Sequence, residues 1–179
     1  MIEVSFGSAY VVIREYGMPL DPPRDDRTLC LRSLYGADKV TILQFLEIGA
    51  QGCLSEVYVY RTEGADGPKL ACVGEDMYFI GIDATAVFYN ARLGRETARY
   101  EFGVAYYSAL PFGDRVLLFG ELEVTCASCT GDVLWEASFD DVVAIYGVDS
   151  DGRIRLQLQD GRLRWLDVRT GTALRAPAD

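Results

Sequence analysis

The sequence predicts an all-β protein of antiparallel sheets with almost no helix. Two observations carry this prediction. Apolar residues recur mostly with a period of two, which is the spacing of side chains on one face of a β-strand. Short runs rich in Val, Ile, Tyr, Phe and Thr also alternate with Gly, Asp, Asn and Pro, as strands alternate with tight turns.

The predicted strands are short and follow one another closely along the whole chain. They cover residues 2–6, 9–15, 28–34, 39–47, 54–61, 69–73, 76–82, 84–90, 96–102, 104–109, 114–120, 121–127, 132–139, 141–148, 153–159 and 162–168. Many short strands at this spacing are typical of a sandwich, a barrel or a propeller.

Two segments interrupt the strand pattern. Residues 18–27 contain three prolines, which cannot donate to a sheet, so we expect a loop that either only connects strands or binds a partner. Residues 62–68 are rich in Gly and Asp and predict a second break. We therefore expect one all-β domain over residues 1–179, with a division into an N-terminal sheet (1–68) and a repeat region (74–179) as the alternative.

The last two predicted strands form a β-hairpin. The pair Asp160-Gly161 is typical of a two-residue type I′ turn, which would place Leu156 opposite Trp165 on one face. The same register would place four arginines together on the other face: Arg153, Arg155, Arg162 and Arg164. That basic face could bind a phosphate or an acidic partner, pair with acidic neighbours, or simply face solvent.

The second half of the chain repeats itself. Three segments start at Asp76, Asp114 and Gly152, and their turn glycines Gly94, Gly131 and Gly171 are 37 and 40 residues apart. Each segment predicts a strand, a tight turn, a second strand, a Thr-Gly-type turn and a third strand. Residues 130–136 and 167–171 resemble the inter-strand turn and the following strand of quinoprotein-like and WD-type β-propeller repeats.

This resemblance covers about residues 74–179 and implies propeller-like blades in a small or incomplete propeller. It implies no quinone cofactor, because no set of cofactor ligands can be matched in the sequence. Three or four blades leave sheet edges that must be covered or paired. Either the ring closes on itself with the help of residues 1–73, or a homodimer completes a larger ring.

The composition restricts the functions that the chain can have. Its net charge is −10, of which residues 1–149 contribute −12 and residues 150–179 contribute +2. We therefore expect no nucleic-acid partner, whereas a basic protein would be attracted. The chain has no histidine, so neither a Ser-His-Asp nor a Cys-His nucleophile system can be built, and no histidine can ligate a metal.

The sequence also bears on location. No apolar run approaches the roughly 18 residues that span a bilayer, so we expect no membrane partner. The first six residues lack the basic and apolar segments of a secretory signal, and we expect a cytoplasmic protein.

The five cysteines are Cys30, Cys53, Cys72, Cys126 and Cys129. Most lie in apolar, strand-like runs, and we interpret them as small buried hydrophobic residues. Cys126 and Cys129 also form a lone C-x-x-C, for which a redox pair or half of a zinc site is the alternative.

Three other patterns have both a structural and a functional interpretation. Residues 149–152 (Asp-Ser-Asp-Gly) are either an ordinary turn or the start of a calcium loop, although no Glu follows at the expected distance. The tyrosine-rich runs 57–60 and 104–107 are either core or an interface. The carboxylate pairs at 140–141 and at 121 and 123 are either solvated or part of a hydrolase site.

The sequence therefore assigns no catalytic, cofactor-binding or metal-binding residue. It predicts a non-enzymatic protein-interaction module, in its more specific form an inhibitor or immunity-type protein for a basic partner. The alternatives are a binding protein or enzyme for a small sugar or anion with a site between blades, and a structural subunit of a larger assembly.

Overall fold

A computed structural model describes residues 2–6, 9–17, 21, 27–33, 36–47, 53–62 and 66–175. These residues form strands and turns, so the predicted all-β class is confirmed, and none of them forms a helix that could cross a membrane. The sixteen strands match the predicted ranges one for one, with ends that differ by up to three residues. The predicted loop at 18–27 lies outside the described residues, except for Asp21 and Arg27.

The first sheet has five strands. They are β1 (Ile2–Phe6), β2 (Ala9–Tyr16), β3 (Thr28–Arg32), β4 (Lys39–Glu47) and β5 (Cys53–Arg61), in the spatial order β1-β2-β4-β5-β3. Strand β3 pairs with β5 in parallel, whereas the other neighbours are antiparallel. This sheet therefore differs in topology from the rest of the molecule.

The remaining strands form three antiparallel meanders. The second sheet contains β6 (Lys69–Cys72), β7 (Met77–Ile82), β8 (Thr85–Asn90) and β9 (Arg95–Glu101). The third sheet contains β10 (Tyr106–Phe112), β11 (Arg115–Gly120), β12 (Glu123–Ser128) and β13 (Val133–Ser138). The fourth sheet contains β14 (Val143–Val148), β15 (Arg153–Leu158) and β16 (Leu163–Asp167). Ala173 bridges to Leu166 and continues the fourth sheet beyond β16.

The predicted repeat coincides with these three sheets, but its unit begins one strand earlier than the sequence indicated. The segments starting at Asp76, Asp114 and Gly152 begin with the second strand of each sheet. The first strands, β6, β10 and β14, lack a shared turn motif, so sequence comparison does not join them to the repeat.

The four sheets stack face to face in chain order. One core cluster joins the first and second sheets, and includes Phe45 against Tyr78 with ring centroids 4.6 Å apart. A second cluster joins the second and third sheets, and a third joins the third and fourth. Strands buried on both faces need apolar side chains at successive positions, which explains the nearly continuous apolar runs of β7, β8, β11 and β12.

The repeated turn glycines position neighbouring sheets against each other. Gly94, Gly131 and Gly171 all have positive φ, a conformation that glycine adopts without a steric cost. Each also touches the preceding sheet or the segment that leads into it. A Cβ at Gly171 would lie 2.6 Å from the Trp135 ring, and a Cβ at Gly131 would lie 2.4 Å from Ala98. The Trp135 indole N–H donates to the Val168 carbonyl across the same junction, at 3.0 Å.

The register predicted for the last hairpin is wrong. Arg155, not Leu156, lies opposite Trp165, and Leu156 lies opposite Arg164. The connection is one residue longer than a type I′ turn, because Gly161 (φ 88°) donates to the Leu158 carbonyl and the Leu158 amide donates to the Arg162 carbonyl. A slip of one residue turns every side chain of β16 to the opposite face.

Candidate functional site

The observed register of the last hairpin places apolar side chains on the exposed outer side of the fourth sheet. We call this surface the open face, and its members are Ile145, Gly147, Arg155, Gln157, Leu163 and Trp165. The other side of the same sheet belongs to the core cluster shared with the third sheet. Ile145 is 59% exposed and Leu163 is 45% exposed, although both lie in regular strands. Exposed apolar side chains grouped on one sheet face are typical of a binding surface.

Trp165 lies at the centre of the open face, and Arg155 lies above it. The Arg155 guanidinium carbon is 6.0 Å from the centroid of the Trp165 ring, a cation–π arrangement. Arg155 forms no ion pair with any described residue, and its charge lies over this ring. The indole N–H of Trp165 is buried and has no hydrogen-bond partner among the described residues. The centre of the face therefore holds an unpaired cation and an unsatisfied donor.

The open face contains a shallow depression of about 360 Å³. Gly147 forms part of its floor, and a Cβ built there would meet no atom within 4 Å. Asp149 lies on its rim, where its carboxylate accepts from the backbone amides of Asp151 and Arg153 at 3.0 and 2.9 Å. The hydrogen bond from the Arg153 amide holds the pKa of Asp149 below its usual range, so this carboxylate is ionised near neutral pH, where it pairs with the Arg153 guanidinium at 3.0 Å.

A second concave region lies at the first strands of the sheets, and we call it the inner cleft. It consists of two depressions of about 430 and 350 Å³ that share Asp66, Lys69, Tyr106 and Tyr107. Lys69 and Asp66 form an ion pair at 3.2 Å. Tyr106 is 5% exposed and packs over Gly81, and its hydroxyl has no partner among the described residues. Burial raises the pKa of Tyr106, so it stays protonated and neutral.

The structure separates the two cysteines of the C-x-x-C. Cys126 is fully buried in the cluster between the third and fourth sheets, whereas Cys129 packs against the cluster on the opposite side of the third sheet. Burial raises the pKa of both thiols, which disfavours the reactive thiolate. Among the described residues, no group of three or more Cys, Asp or Glu is placed to hold a metal ion.

The interpretation of the cysteines as mostly buried is wrong. Cys30 and Cys53 are exposed, Cys72 and Cys129 are partly buried, and Cys126 alone is buried. Cys30 lies in β3 at the edge of the first sheet, where alternate side chains point away from the core, so its apolar neighbours in sequence do not bury it.

The predicted arginine face does not exist as a unit. Arg153 and Arg155 lie on the open side of the fourth sheet, whereas Arg164 shares the opposite side with Leu156. Arg162 binds Asp140 with two hydrogen bonds of 3.1 Å and also contacts Asp160. Arg153 pairs with Asp149 and Asp151, and residues 149–152 form the turn between β14 and β15.

The tyrosine-rich runs separate into two environments. Tyr58 and Tyr60 are buried in a small cluster with Val40 and Ile42 on the outer side of the first sheet. Tyr107 instead lines the inner cleft and stacks on Tyr146, with parallel rings whose centroids are 6.5 Å apart. The second run therefore contributes to a concave surface, whereas the first belongs to the core.

One member of each carboxylate pair binds backbone amides in this structure. Asp141 accepts from the amides of Val142 and Asp160 at 2.8 and 2.9 Å, and Glu123 accepts from the amide of Gly103 at 3.1 Å. These contacts hold connections between strands in place.

Sequence reasoning missed Ile145 and misplaced Trp165. Both follow the period-two pattern of a strand, but that pattern does not show which face a neighbouring sheet covers. One signal in the sequence could have indicated this surface. The last repeat unit has apolar residues on both faces, although a neighbouring sheet that follows it in the chain is not predicted.

Comparison with known proteins gives a result at the level of the fold. No protein-family model matches the chain, and no curated protein matches it. Solved structures do match. The WD40 domain of Neurospora crassa Pan2 matches with a TM-score of 0.51 at 14% identity. The match covers 60% of this chain and 36% of the Pan2 chain. BamB from Moraxella catarrhalis matches with a TM-score of 0.51 at 15% identity. The match covers 90% of this chain and 50% of the BamB chain.

The second, third and fourth sheets are propeller-type blades. The resemblance seen in the sequence is thus confirmed for the fold. The computationally designed protein Ika8 also matches, with a TM-score of 0.54 at 13% identity, over 76% of this chain and 45% of its own. The chain spans between about a third and a half of the length of these three structures. Within the described residues no sheet closes into a ring, as expected for a small or incomplete propeller.

Proposed function

We propose that this protein is a non-enzymatic protein-binding module that docks a partner on the open face. One observation carries the proposal. Neighbouring sheets cover both faces of the second and third sheets, whereas the outer face of the fourth exposes Ile145, Leu163 and part of Trp165. Trp165 and Arg155 lie at the centre of this face, and tryptophan and arginine are among the residue types that contribute most to binding at protein interfaces.

The experiment is site-specific photo-cross-linking in a native lysate. A photo-reactive phenylalanine at position 145 should capture a protein, whereas the same group at Leu93 should not. Leu93 is the matched control because it is 54% exposed but lies in the turn between β8 and β9 of the second sheet. In a pull-down, Ile145→Asp should abolish capture and Leu93→Asp should leave it unchanged. Identical cross-linking at both positions would refute the proposal.

A finer version of the proposal gives the protein a basic partner, as an inhibitor or immunity-type protein would have. Its support is the net charge of −10. The acidic excess lies in residues 1–149, so a basic partner would engage the first three sheets more than the open face. Its binding should weaken as salt rises, since exposed charges are screened over about 8 Å at physiological ionic strength.

The inner cleft supports a second candidate function, the binding of a small polar ligand between blades. It combines aromatic side chains, the Lys69–Asp66 ion pair and a concave volume in the range of small-molecule sites. A thermal-shift screen against sugars and small anions tests it. A compound that raises the melting temperature of the native protein but not of Lys69→Met would support ligand binding in the cleft. If no compound raises it, the docking proposal is the one that remains.

A further inference from the structure

We infer that the inner cleft binds the guanidinium group of an arginine side chain carried by a basic protein partner. This inference rests on the proposed function, because it gives the inner cleft a ligand class and gives the basic partner a contact residue. It follows from two tyrosine rings, from one carboxylate without a partner among the described residues, and from the charge of the cleft as a whole.

Two parallel aromatic rings line the cleft. Tyr107 and Tyr146 are parallel to within 7°, with ring centroids 6.5 Å apart, and both line the smaller depression. Tyr146 also stacks on the fully buried Phe119 ring at 4.3 Å, which holds its orientation. Burial and the nearby Glu121 carboxylate raise the pKa of Tyr107, so its ring stays neutral. The face of a neutral aromatic ring attracts a cation, and a planar guanidinium can lie flat on it.

Glu121 places a carboxylate beside these rings. It follows β11, and its amide donates to the Ala105 carbonyl while its carbonyl accepts from the Val143 amide, both at 2.8 Å. Ala105 lines the larger depression and Val143 the smaller one, so the Glu121 backbone lies between them. The Glu121 side chain is partly exposed and makes no ion pair or hydrogen bond with any described residue. Its carboxylate is therefore available to a cation that stacks on Tyr107.

The charges of the cleft favour a cation over an anion. Among the described residues at the cleft, Asp66, Asp83 and Glu121 are acidic, whereas Lys69 is basic. Lys69 pairs with Asp66 at 3.2 Å, so its charge is offset. The cleft also belongs to residues 1–149, which carry a net charge of −12. An anion would therefore meet repulsion, whereas a basic protein would be attracted.

The shape of the cleft favours an arginine over a lysine. An ammonium is a compact, strongly hydrated point charge, whereas a guanidinium is planar and weakly hydrated. A guanidinium can place its flat face on a tyrosine ring while the N–H groups at its edge donate to the Glu121 carboxylate. The two depressions, of about 430 and 350 Å³, lie at the lower end of the range for small-ligand sites, so they accept a single side chain rather than a folded segment.

An NMR titration of the isotope-labelled full chain tests this inference. The probe is a capped Gly-Arg-Gly tripeptide, and the control is the same peptide with lysine. Titration to about 10 mM reaches the weak affinity expected of one side chain. The arginine peptide should shift the amide signals of Tyr107, Glu121 and Tyr146 but not that of Leu163 on the open face. The lysine peptide should bind about tenfold more weakly, since it loses one of the charged hydrogen bonds.

Four variants separate the contributions. Glu121→Gln should weaken binding about tenfold, because it removes the charge and keeps the size of the side chain. Glu136→Gln is the matched control: it removes the same charge from β13, at the opposite edge of the third sheet from β10, and should leave binding unchanged. Tyr107→Phe should keep binding because it keeps the ring, whereas Tyr107→Leu should lose it. Lys69→Met should strengthen binding, because it removes a like charge and releases Asp66.

The outcomes distinguish this inference from the functions on which it rests. Equal binding of the two peptides, or binding that Glu121→Gln and Tyr107→Leu leave unchanged, would overturn it. Free L-arginine that binds more tightly than the peptide would overturn the protein source of the guanidinium. If a sugar or a small anion binds in the cleft and the arginine peptide does not, this inference falls and the second candidate function stands. If nothing binds there, both fall, and docking on the open face is still decided at position 145.

Discussion

Replacing Gly171 with alanine tests how adjacent blades are held against each other. Gly171 lies in the turn that follows β16 and has a φ of 69°. An added Cβ would lie 2.6 Å from Cε3 of Trp135 in β13, well inside van der Waals contact. The ring cannot move freely, because its N–H donates to the Val168 carbonyl at 3.0 Å.

The size of the effect can be separated into two parts. A non-glycine residue in the left-handed region costs about 1–2 kcal/mol. Displacing the Trp135 ring adds about 1–3 kcal/mol for overpacking and about 1 kcal/mol for the weakened hydrogen bond. Gly161→Ala isolates the first part, since Gly161 has a φ of 88° but a Cβ there would meet nothing within 4 Å.

Urea unfolding of the two variants, followed by circular dichroism, measures the difference. Gly171→Ala should lose about 2–4 kcal/mol more of its free energy of unfolding than Gly161→Ala. Equal losses would show that the contact between Trp135 and Gly171 does not stabilise the junction of the third and fourth sheets, and would refute this account of the packing.

Three further predictions concern the core. Phe45→Ala should lower the free energy of unfolding of the whole chain by about 3–5 kcal/mol, because the buried Phe45 ring joins the first two sheets. A separate early transition in urea would argue against a core shared by these sheets. Burial raises the pKa of Tyr89 from 10.0 to about 12, so its contribution to stability is full below pH 10 and is lost as pH rises through 12. In urea unfolding at pH 9 to 12, the free energy of unfolding should therefore fall less steeply with pH for Tyr89→Phe than for the native protein. An equal fall in the two proteins would contradict this. Cys30 and Cys53 should react with a thiol reagent in the native protein and Cys126 only on unfolding; fast native labelling of a protein that keeps Cys126 alone would contradict its burial.

The strands of this protein are predictable from sequence because their signals are local. Period-two apolar patterns and turn residues act within a few positions, and the turn glycines Gly94, Gly131 and Gly171 have the positive φ expected of their type. The order of strands in the first sheet is not predictable in this way, since β3 joins β5 in parallel across an intervening strand.

The candidate site was not predictable, and the reason is a contact from outside the last hairpin. The Asp160 amide donates to the Asp141 carboxylate at 2.9 Å, and the Gln159 amide donates to the Val142 carbonyl at 2.8 Å. Both partners lie in the connection before β14. These bonds accompany the longer turn that moves Trp165 to the open face, and the local sequence carries no sign of them.

The buried outer side of the first sheet bears on how far association can proceed. Val40, Tyr58 and Tyr60 are each less than 10% exposed there, whereas the opposite end of the stack is open. A molecule with an adhesive surface at both ends can add copies without limit and grow into a filament. A molecule that is adhesive at one end and closed at the other stops growing once that end is filled. The cluster of Val40, Ile42, Tyr58 and Tyr60 is buried within the chain, so these side chains do not offer a second binding surface at that end of the stack.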